Sequence, residues 1–466
     1  RSTLFPYTTL FRSLELNNTN GGNKFASKWG FILACVGSAV GMANVWGFPY
    51  KLGSSGGAAF LVIYLFFIAL FGYVGLSAEY AIGRRSGTGT LGSYAFAWKH
   101  GKTDMEGIGK VIGWLPLIGS MTIAIGYAAI ISYVLKALTQ SLSGSIMTVE
   151  PGPWFESFAF KTFSVVPYHI IIVIVTLLTI TLGADSIEKA NKVMMPLFFI
   201  LFIILAVRIA LLPGVAAGYK FLFIPDWKLL ADPKIWVAAM GQAFFSLSIT
   251  GSGMIVYGAY LSKNEDVVSG AKQTALFDTI AAMVAALVMI PACFAYNMDP
   301  ARGPGLLFVV LPTILQQMVG GRIFGIILYT AVVFGGISSL QNMFEVVGES
   351  LMHVFKGLSR KLMIIILGVI TFGIGVFMEP IADTEGAIMG GWGPWMDLVS
   401  IYIIPIGAVL GAISWFWVLK KEDLLDEINT GAKKKYGNTW HALGKYVYTV
   451  LALILCIYAL AFKVAF

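Results

Sequence analysis

Residues 29–50 read WGFILACVGSAVGMANVWGFPY, long and apolar enough to cross a lipid bilayer, yet their centre holds Gly37, Ser38, Ala39, Gly41, Ala43 and the lone polar Asn44. Small residues at that density weaken a helix halfway across hydrocarbon. An interrupted helix bares backbone N–H and C=O groups, each costly unless the break lines a cavity or binds something. The competing reading is that the small residues only let neighbouring helices approach closely.

The same kind of stretch recurs along the chain. Eleven apolar spans are predicted, near 28–50, 58–82, 110–138, 166–183, 187–212, 234–261, 270–296, 323–352, 362–378, 396–420 and 442–465. A hydrophobic fraction of 58%, only 12% charged residues and a mean hydropathy of +0.81 place the chain outside the soluble range and make it a polytopic, all-α membrane protein. Its 466 residues leave no room for a sizeable soluble domain beside the spans. The net charge of +8 does not point to nucleic acid, because no basic run is longer than Lys433, Lys434 and Lys435. Cys35, Cys293 and Cys456 lie apart in apolar runs, so they form neither a disulfide framework nor a metal set and are read as buried thiols. His100, His169, His353 and His441 fall near span ends or in loops without metal spacing, which argues against an enzyme. Residues 1–13 join poorly to the Asn/Gly-rich stretch after them and are read as non-native, at the head of a tail reaching residue 27.

Basic residues sort by side. Arg84, Arg85, Lys99, Lys102, Lys189, Lys192, Lys263, Lys356, Arg360, Lys361, Lys420, Lys421 and Lys433 to Lys435 fall on connections facing the N-terminal side. The opposite connections carry Glu150, Glu156, Asp226, Asp232, Asp299, Glu379, Asp383 and Glu385. The positive-inside rule then predicts a multi-pass protein of the cell's inner (plasma) membrane with a cytoplasmic N-terminus and, with an odd number of spans, an external C-terminus.

The sixth span echoes the first: its centre, residues 246–253, is again a knot of small and hydroxyl residues inside an apolar helix. Two interrupted spans, one opening each set of five, suggest a 5+5 inverted repeat with broken first and sixth helices and a site near the midplane. The repeats would span residues 28–212 and 233–420, with a cytoplasmic loop and the eleventh helix in 421–466. Half-helix N–H ends suit an anionic group and loose carbonyls a cation, a fit for a zwitterion plus sodium.

Several motifs carry a more specific likeness. GSAVGMANVWGFPY is followed by SSGGAAFLVIY, then by SAEYAIGR with Glu79, Gly83 and Arg84, by GQAFFSLS in the sixth span, and by GPGLLFVVLP at residues 303–312. In this order the chain resembles the neurotransmitter:sodium symporter family, specifically its bacterial amino-acid transporters, over residues 28–420. The rule on interrupted helices was framed on transporters of this kind, so the two readings are not independent.

The resemblance implies sodium-coupled symport of an amino acid by alternating access, with Na+ in two sites. It implies a first sodium site made by the carbonyl of Ala39, the side chain of Asn44, Ser246, Asp278 and the substrate carboxylate. It implies a second made by carbonyls of Gly37, Val40 and Gly335 with the hydroxyls of Ser338 and Ser339. These hard oxygen ligands suit an alkali cation. The substrate carboxylate would meet N–H groups near Met42 and Ala43 and the Tyr127 hydroxyl, and its amino group carbonyls at Phe245, Ser246 and Thr250; Ala39 and Val40 belong to the same substrate set. Ile123, Ser248, Thr250 and Met343 would line the side-chain pocket. For the two serines, back-bonding to their own helix is the alternative. For Tyr127 it is an interfacial aromatic.

Asp278 is the most informative residue, because a carboxylate inside the membrane costs about 2.5–3.5 kcal/mol or more and demands a cation, a proton or a partner. By the resemblance, a fixed acid here replaces chloride, so transport is expected to be chloride-independent. Protonation of Asp278 on the empty carrier's return would send a proton outward. The chain also departs from the family. Gly47 stands where the family usually has Arg, which deprives the expected outer-gate acid Asp397 of its partner. Gly251 replaces a bulky residue and is expected to widen the pocket for a large apolar or aromatic amino acid. At the inner gate Lys24 precedes Phe25, but no matching acid is evident near His353. A transport-inactive sensor or a substrate-gated channel on the same fold is the alternative function. Partners are the amino acid and membrane lipid, with no nucleic acid.

Overall fold

The computed structural model describes residues 24–464 apart from 304 and 383; the expected extraneous segment 1–13, the tail up to residue 23, Pro304 and Asp383 lie outside the described residues. The first span is two helices, α1 (Lys28–Ala39) and α2 (Ala43–Ser54), bent by 54°. Then come α3 (Ala58–Ser86), α4 (Glu106–Ser143), α5 (Val166–Thr179) and α6 (Ala184–Ala210). The sixth span is α7 (Pro233–Ser246) and the short α8 (Ile255–Ala259). The remainder are α9 (Val267–Ala295), α10 (Gly321–Val354), α11 (Arg360–Met378), α12 (Trp392–Val418) and α13 (Asn438–Phe462).

Among the described residues, eight helices are long and apolar enough to cross a membrane, and the bent pair α1 and α2 makes nine. The two remaining predicted spans fall short of that test for different reasons: α5 has 14 residues, and α7 and α8 are parted by unwound chain. Lipid as the outer solvent explains where the side chains point. Ile170, Ile174 and Leu178 on α5, Ile200, Ile203 and Val207 on α6, and Leu453 and Ile457 on α13 are exposed, while Asn44, Asp278 and Glu345 are fully buried. Apolar groups outside and polar groups inside reverse the soluble pattern.

At the centre, α10 packs along α4, α6 and α1, and α3 packs against α7 and α8. Glycine makes this approach possible: a side chain on Gly336 would come within 2.8 Å of Ile131 on α4. Near its start, α1 is held by Glu188 of α6, which accepts from Ala26 N at 2.7 Å and Ser27 Oγ at 2.9 Å. Ser27 Oγ in turn accepts from Gly30 N at 2.9 Å, capping the helix.

Both central breaks are real, and buried side chains take up the backbone groups they free. In the first, Met42 N donates to Tyr127 Oη at 2.7 Å and Gly41 N to Asn44 Oδ1 at 3.0 Å. In the second, Gly251 N and Met254 N donate to the Glu79 carboxylate at 2.9 and 3.1 Å, while Gly253 O accepts from Asn342 Nδ2 at 2.8 Å. Each contact replaces a helical hydrogen bond lost at the break. Close helix packing alone would need none of them.

The connection expected as a plain loop after residue 420 holds a helix, Lys421–Asn429, tied under the bundle. Glu427 on it pairs with Arg84 Nε at 2.5 Å and Lys263 Nζ at 2.7 Å, with Arg84 and Glu427 both 1% exposed. Arg84 also donates to Glu265 O at 2.7 Å and Thr430 O at 2.9 Å, which joins the end of α3 to the segment leaving α8.

Candidate functional site

Asp278 on α9 lies fully buried beside both breaks. Asn44 Nδ2 donates to its Oδ1 at 2.6 Å, and Ser246 Oγ stands 2.9 and 2.8 Å from the two carboxylate oxygens. Asn44 Nδ2 also lies 3.3 Å from Ser246 Oγ, so the last turn of α7, the start of α2 and α9 meet at one point. The Tyr64 hydroxyl, from α3, approaches Ser246 Oγ at 3.3 Å and Asp278 Oδ2 at 3.5 Å. Every one of these donors is uncharged. Among the described residues no cation pairs with Asp278.

A second oxygen cluster sits where α10 crosses the first break. Ser339 Oγ donates towards Val40 O at 3.1 Å and Ser38 O at 3.3 Å, with Gly37 O at 3.5 Å. Ser338 Oγ instead donates to Gly335 O at 2.9 Å, the back-bonding alternative for that serine. A side chain on Gly37 would press to 3.1 Å from Ser338 Cβ and into Asn191 of α6, so the position must stay small. These carbonyl and hydroxyl oxygens, without sulfur or imidazole, suit a hard monovalent cation. No group of three or more His, Cys, Asp or Glu that could hold another metal occurs among the described residues.

Between the two breaks lies a small cavity of about 40 Å³. Ala39, Ala43, Ile123, Tyr127, Phe245, Ser248, Thr250 and Met343 of the expected substrate set line it; Val40, Met42 and Ser246 do not. Met42 contributes through its backbone N–H, already given to Tyr127, and Ser246 faces Asp278. Met42, Ala43, Tyr127 and Phe245 also line a wider opening of about 470 Å³ bounded by Trp46, Gly47, Lys51 and Asp397. Tyr127 and Phe245 therefore stand between the cavity and that opening.

A model of the sodium:neurotransmitter symporter family matches residues 22–154 and 155–465. The chain belongs to this family. It is 31% identical over 459 residues to the uncharacterized sodium-dependent transporter YhdH of Bacillus subtilis, covering 92% of this chain and 96% of the relative. A sodium- and chloride-dependent GABA transporter of Drosophila melanogaster, ine, is 24% identical over 379 residues, 71% of this chain and 39% of the relative. The crystal structure of MhsT in complex with L-phenylalanine superposes with a TM-score of 0.82 at 32% identity, covering 94% of this chain and all of MhsT. The protein is a multi-pass membrane symporter of the sodium-dependent class, with a small-molecule substrate.

Within this family fold, some contacts were not foreseen. Gly251 has φ of 77°, and a side chain there would run into Gly407 O and come within 2.7 Å of the Tyr94 hydroxyl. It is small because α12 packs on it, and Gly253 lines the cavity instead. Glu79, in the SAEYAIGR motif, is a further site residue that its sequence signals, because an intramembrane carboxylate points to function as Asp278 does. Tyr64, Ser120 and Asn342 carried no local signal, since only the folded chain brings them to the breaks. On α10, Glu345, one turn before Glu349, binds the Tyr260 hydroxyl and Arg360. Phe25 packs edge-on against Tyr257 and Tyr260 and tilted against Phe31, which closes the molecule below α8. All three cysteines are buried free thiols.

Proposed function

We propose that this symporter imports an amino acid with two sodium ions, without chloride, across the plasma membrane, its N-terminus cytoplasmic and its repeats at residues 28–212 and 233–420. The observation that carries the reading is the fully buried Asp278 carboxylate, held by Asn44, Ser246 and Tyr64 with no cationic partner among the described residues. A buried, uncompensated carboxylate is stable only once a positive charge arrives. Sodium bound with the Ala39 carbonyl, Asn44, Ser246, Asp278 and the substrate carboxylate would supply it. A second sodium would take Gly37, Val40 and Gly335 carbonyls with Ser338 and Ser339; Ser338 would turn from its own helix to do so. Because Asp278 supplies the negative charge, chloride has no task here, unlike in the relative named as chloride-dependent. The MhsT complex with L-phenylalanine supports a large apolar or aromatic substrate, seated between Ile123, Phe245, Ser248, Thr250 and Met343 and closed off by Tyr127 and Phe245.

The test is the melting temperature of the purified protein against each common amino acid, in sodium and in potassium. A ligand at about a hundred times its dissociation constant adds about 2.7 kcal/mol of stability. Stabilisation by a few large amino acids in sodium only, unchanged when gluconate replaces chloride, is expected. Stabilisation that requires chloride, or that occurs equally in potassium, would overturn the reading.

A further inference from the structure

Where the end of α12 meets the start of α13 lies a recess of about 400 Å³ that shares no lining residue with the cavity between the breaks. Lys102, Lys420, Lys421 and Lys445 line it, with Glu422 as its one acid. An isolated bridge between Gly101 and Leu419 brings Lys102 alongside Lys420. Among the described residues Lys421 pairs only with Glu422, at 3.9 Å, and the other three lysines have no carboxylate partner. Four cations gathered around one exposed acid repel one another, and an anion between them removes that repulsion. Two helices also begin here, at Lys421 and at Asn438, and neither start carries a side-chain cap. Their first N–H groups add positive potential to the same recess. His441 lines it too; it is 7% exposed, and its Nε2 has no hydrogen-bond partner among the described residues. A neutral imidazole can carry its proton on that nitrogen and donate it.

We propose that this recess binds the phosphate of an anionic phospholipid headgroup. Its surroundings favour a lipid over a free phosphate. Trp417 and Tyr446, both exposed, stand edge-on at 5.8 Å, and Lys445 Nζ lies 4.3 Å over the Trp417 ring, an aromatic and basic pairing that suits a membrane interface. Tyr446, Val450, Leu453 and Ile457 then follow at helical spacing, all exposed, so an apolar face starts at the recess and runs along α13. A headgroup held by the lysines would lay its acyl chains on that face. Lysines clustered beside the end of a span attract anionic lipid at the leaflet surface. The proposal does not depend on which solute is carried.

The melting temperature of the purified full chain in uncharged detergent, titrated with phosphatidylglycerol, phosphatidylcholine or inorganic phosphate, tests this. The wild type is compared with Lys420→Gln/Lys445→Gln and with Lys433→Gln/Lys434→Gln, a pair of exposed lysines outside the recess. Phosphatidylglycerol is expected to raise the melting temperature and phosphatidylcholine to leave it unchanged. Lys420→Gln/Lys445→Gln should weaken the apparent affinity for phosphatidylglycerol at least about tenfold, since each lysine near an anionic surface contributes a factor of about five. Lys433→Gln/Lys434→Gln should change it less than about twofold. Equal stabilisation by the two lipids would overturn the proposal, as would a folded Lys420→Gln/Lys445→Gln protein that keeps the wild-type affinity. An equal loss in both variants would assign the effect to overall surface charge and overturn it too. Inorganic phosphate stabilising as strongly as the lipid at equal concentration would make the occupant a free anion. The wild-type comparison of the two lipids needs no variant, so a variant that fails to fold leaves the test standing.

Discussion

Asp278 draws three neutral donors from three different helices, and each does a share of holding a charge away from water. Replacing it by Asn removes the fixed charge while keeping the shape. Asp278→Asn is expected to make uptake into proteoliposomes weak in gluconate and improved by chloride; undiminished chloride-free uptake would contradict the proposed charge role. Tyr64 is the quieter partner. Tyr64→Phe deletes one hydroxyl contact to the cluster, worth about 1 kcal/mol, so the sodium concentration giving half the ligand-induced stabilisation should rise about fivefold. A sodium titration of the melting temperature reads that shift directly.

The two broken spans depend on contacts from other helices, and the second is the more strained. Ser248 has φ of 54° and Gly251 φ of 77°, in a region that favours glycine. Gly251→Ala adds a Cβ facing Gly407 O at an unfavourable φ, so thermal unfolding should show a loss of more than about 1 kcal/mol. The Lys421–Asn429 helix offers a second test. Glu427 is the shared partner of Arg84 and Lys263, and removing one member of a buried pair leaves the other uncompensated. Glu427→Gln is expected to destabilise by about 3 kcal/mol, seen as a lower melting temperature with or without ligand. A loss confined to the liganded protein would place Glu427 in the transport cycle instead.

Taken whole, the molecule has a wide opening and a small cavity that share Tyr127 and Phe245 in their walls, and an aromatic cluster of Phe25, Tyr257 and Tyr260 at the end of the sixth span. Such an arrangement suits a carrier that exposes one site to each side in turn. Two sodium ions with a net-neutral amino acid carry two charges, worth about 4.6 kcal/mol at 100 mV. That sustains about a 2,500-fold accumulation, whereas one sodium would sustain about fiftyfold at the same voltage, given 1.36 kcal/mol per tenfold. Accumulation ratios in vesicles at a set potential, with equal sodium on both sides, separate the two stoichiometries.

Much of this was legible in residue order alone, for physical reasons. Hydrocarbon tolerates only long apolar helices, so the spans stand out as runs, and a run softened by Gly37 to Gly41 or by Ser246 to Gly253 betrays a break wherever it lies. An acid such as Asp278 in such a run is conspicuous because its burial is so unfavourable. The sequence by itself therefore determined the membrane class, the helical architecture, the two breaks and the residues closest to them. Only the tertiary structure decided what satisfies the breaks: Glu79 and Asn342 for the second, Tyr127 for the first, and Tyr64 beside Asp278. It also decided that Gly251 makes room for α12 and that Glu345 pairs with Arg360. These contacts join residues far apart in the chain, and a tyrosine or asparagine in an apolar span has the same local pattern whether it faces lipid, a neighbouring helix or a cavity.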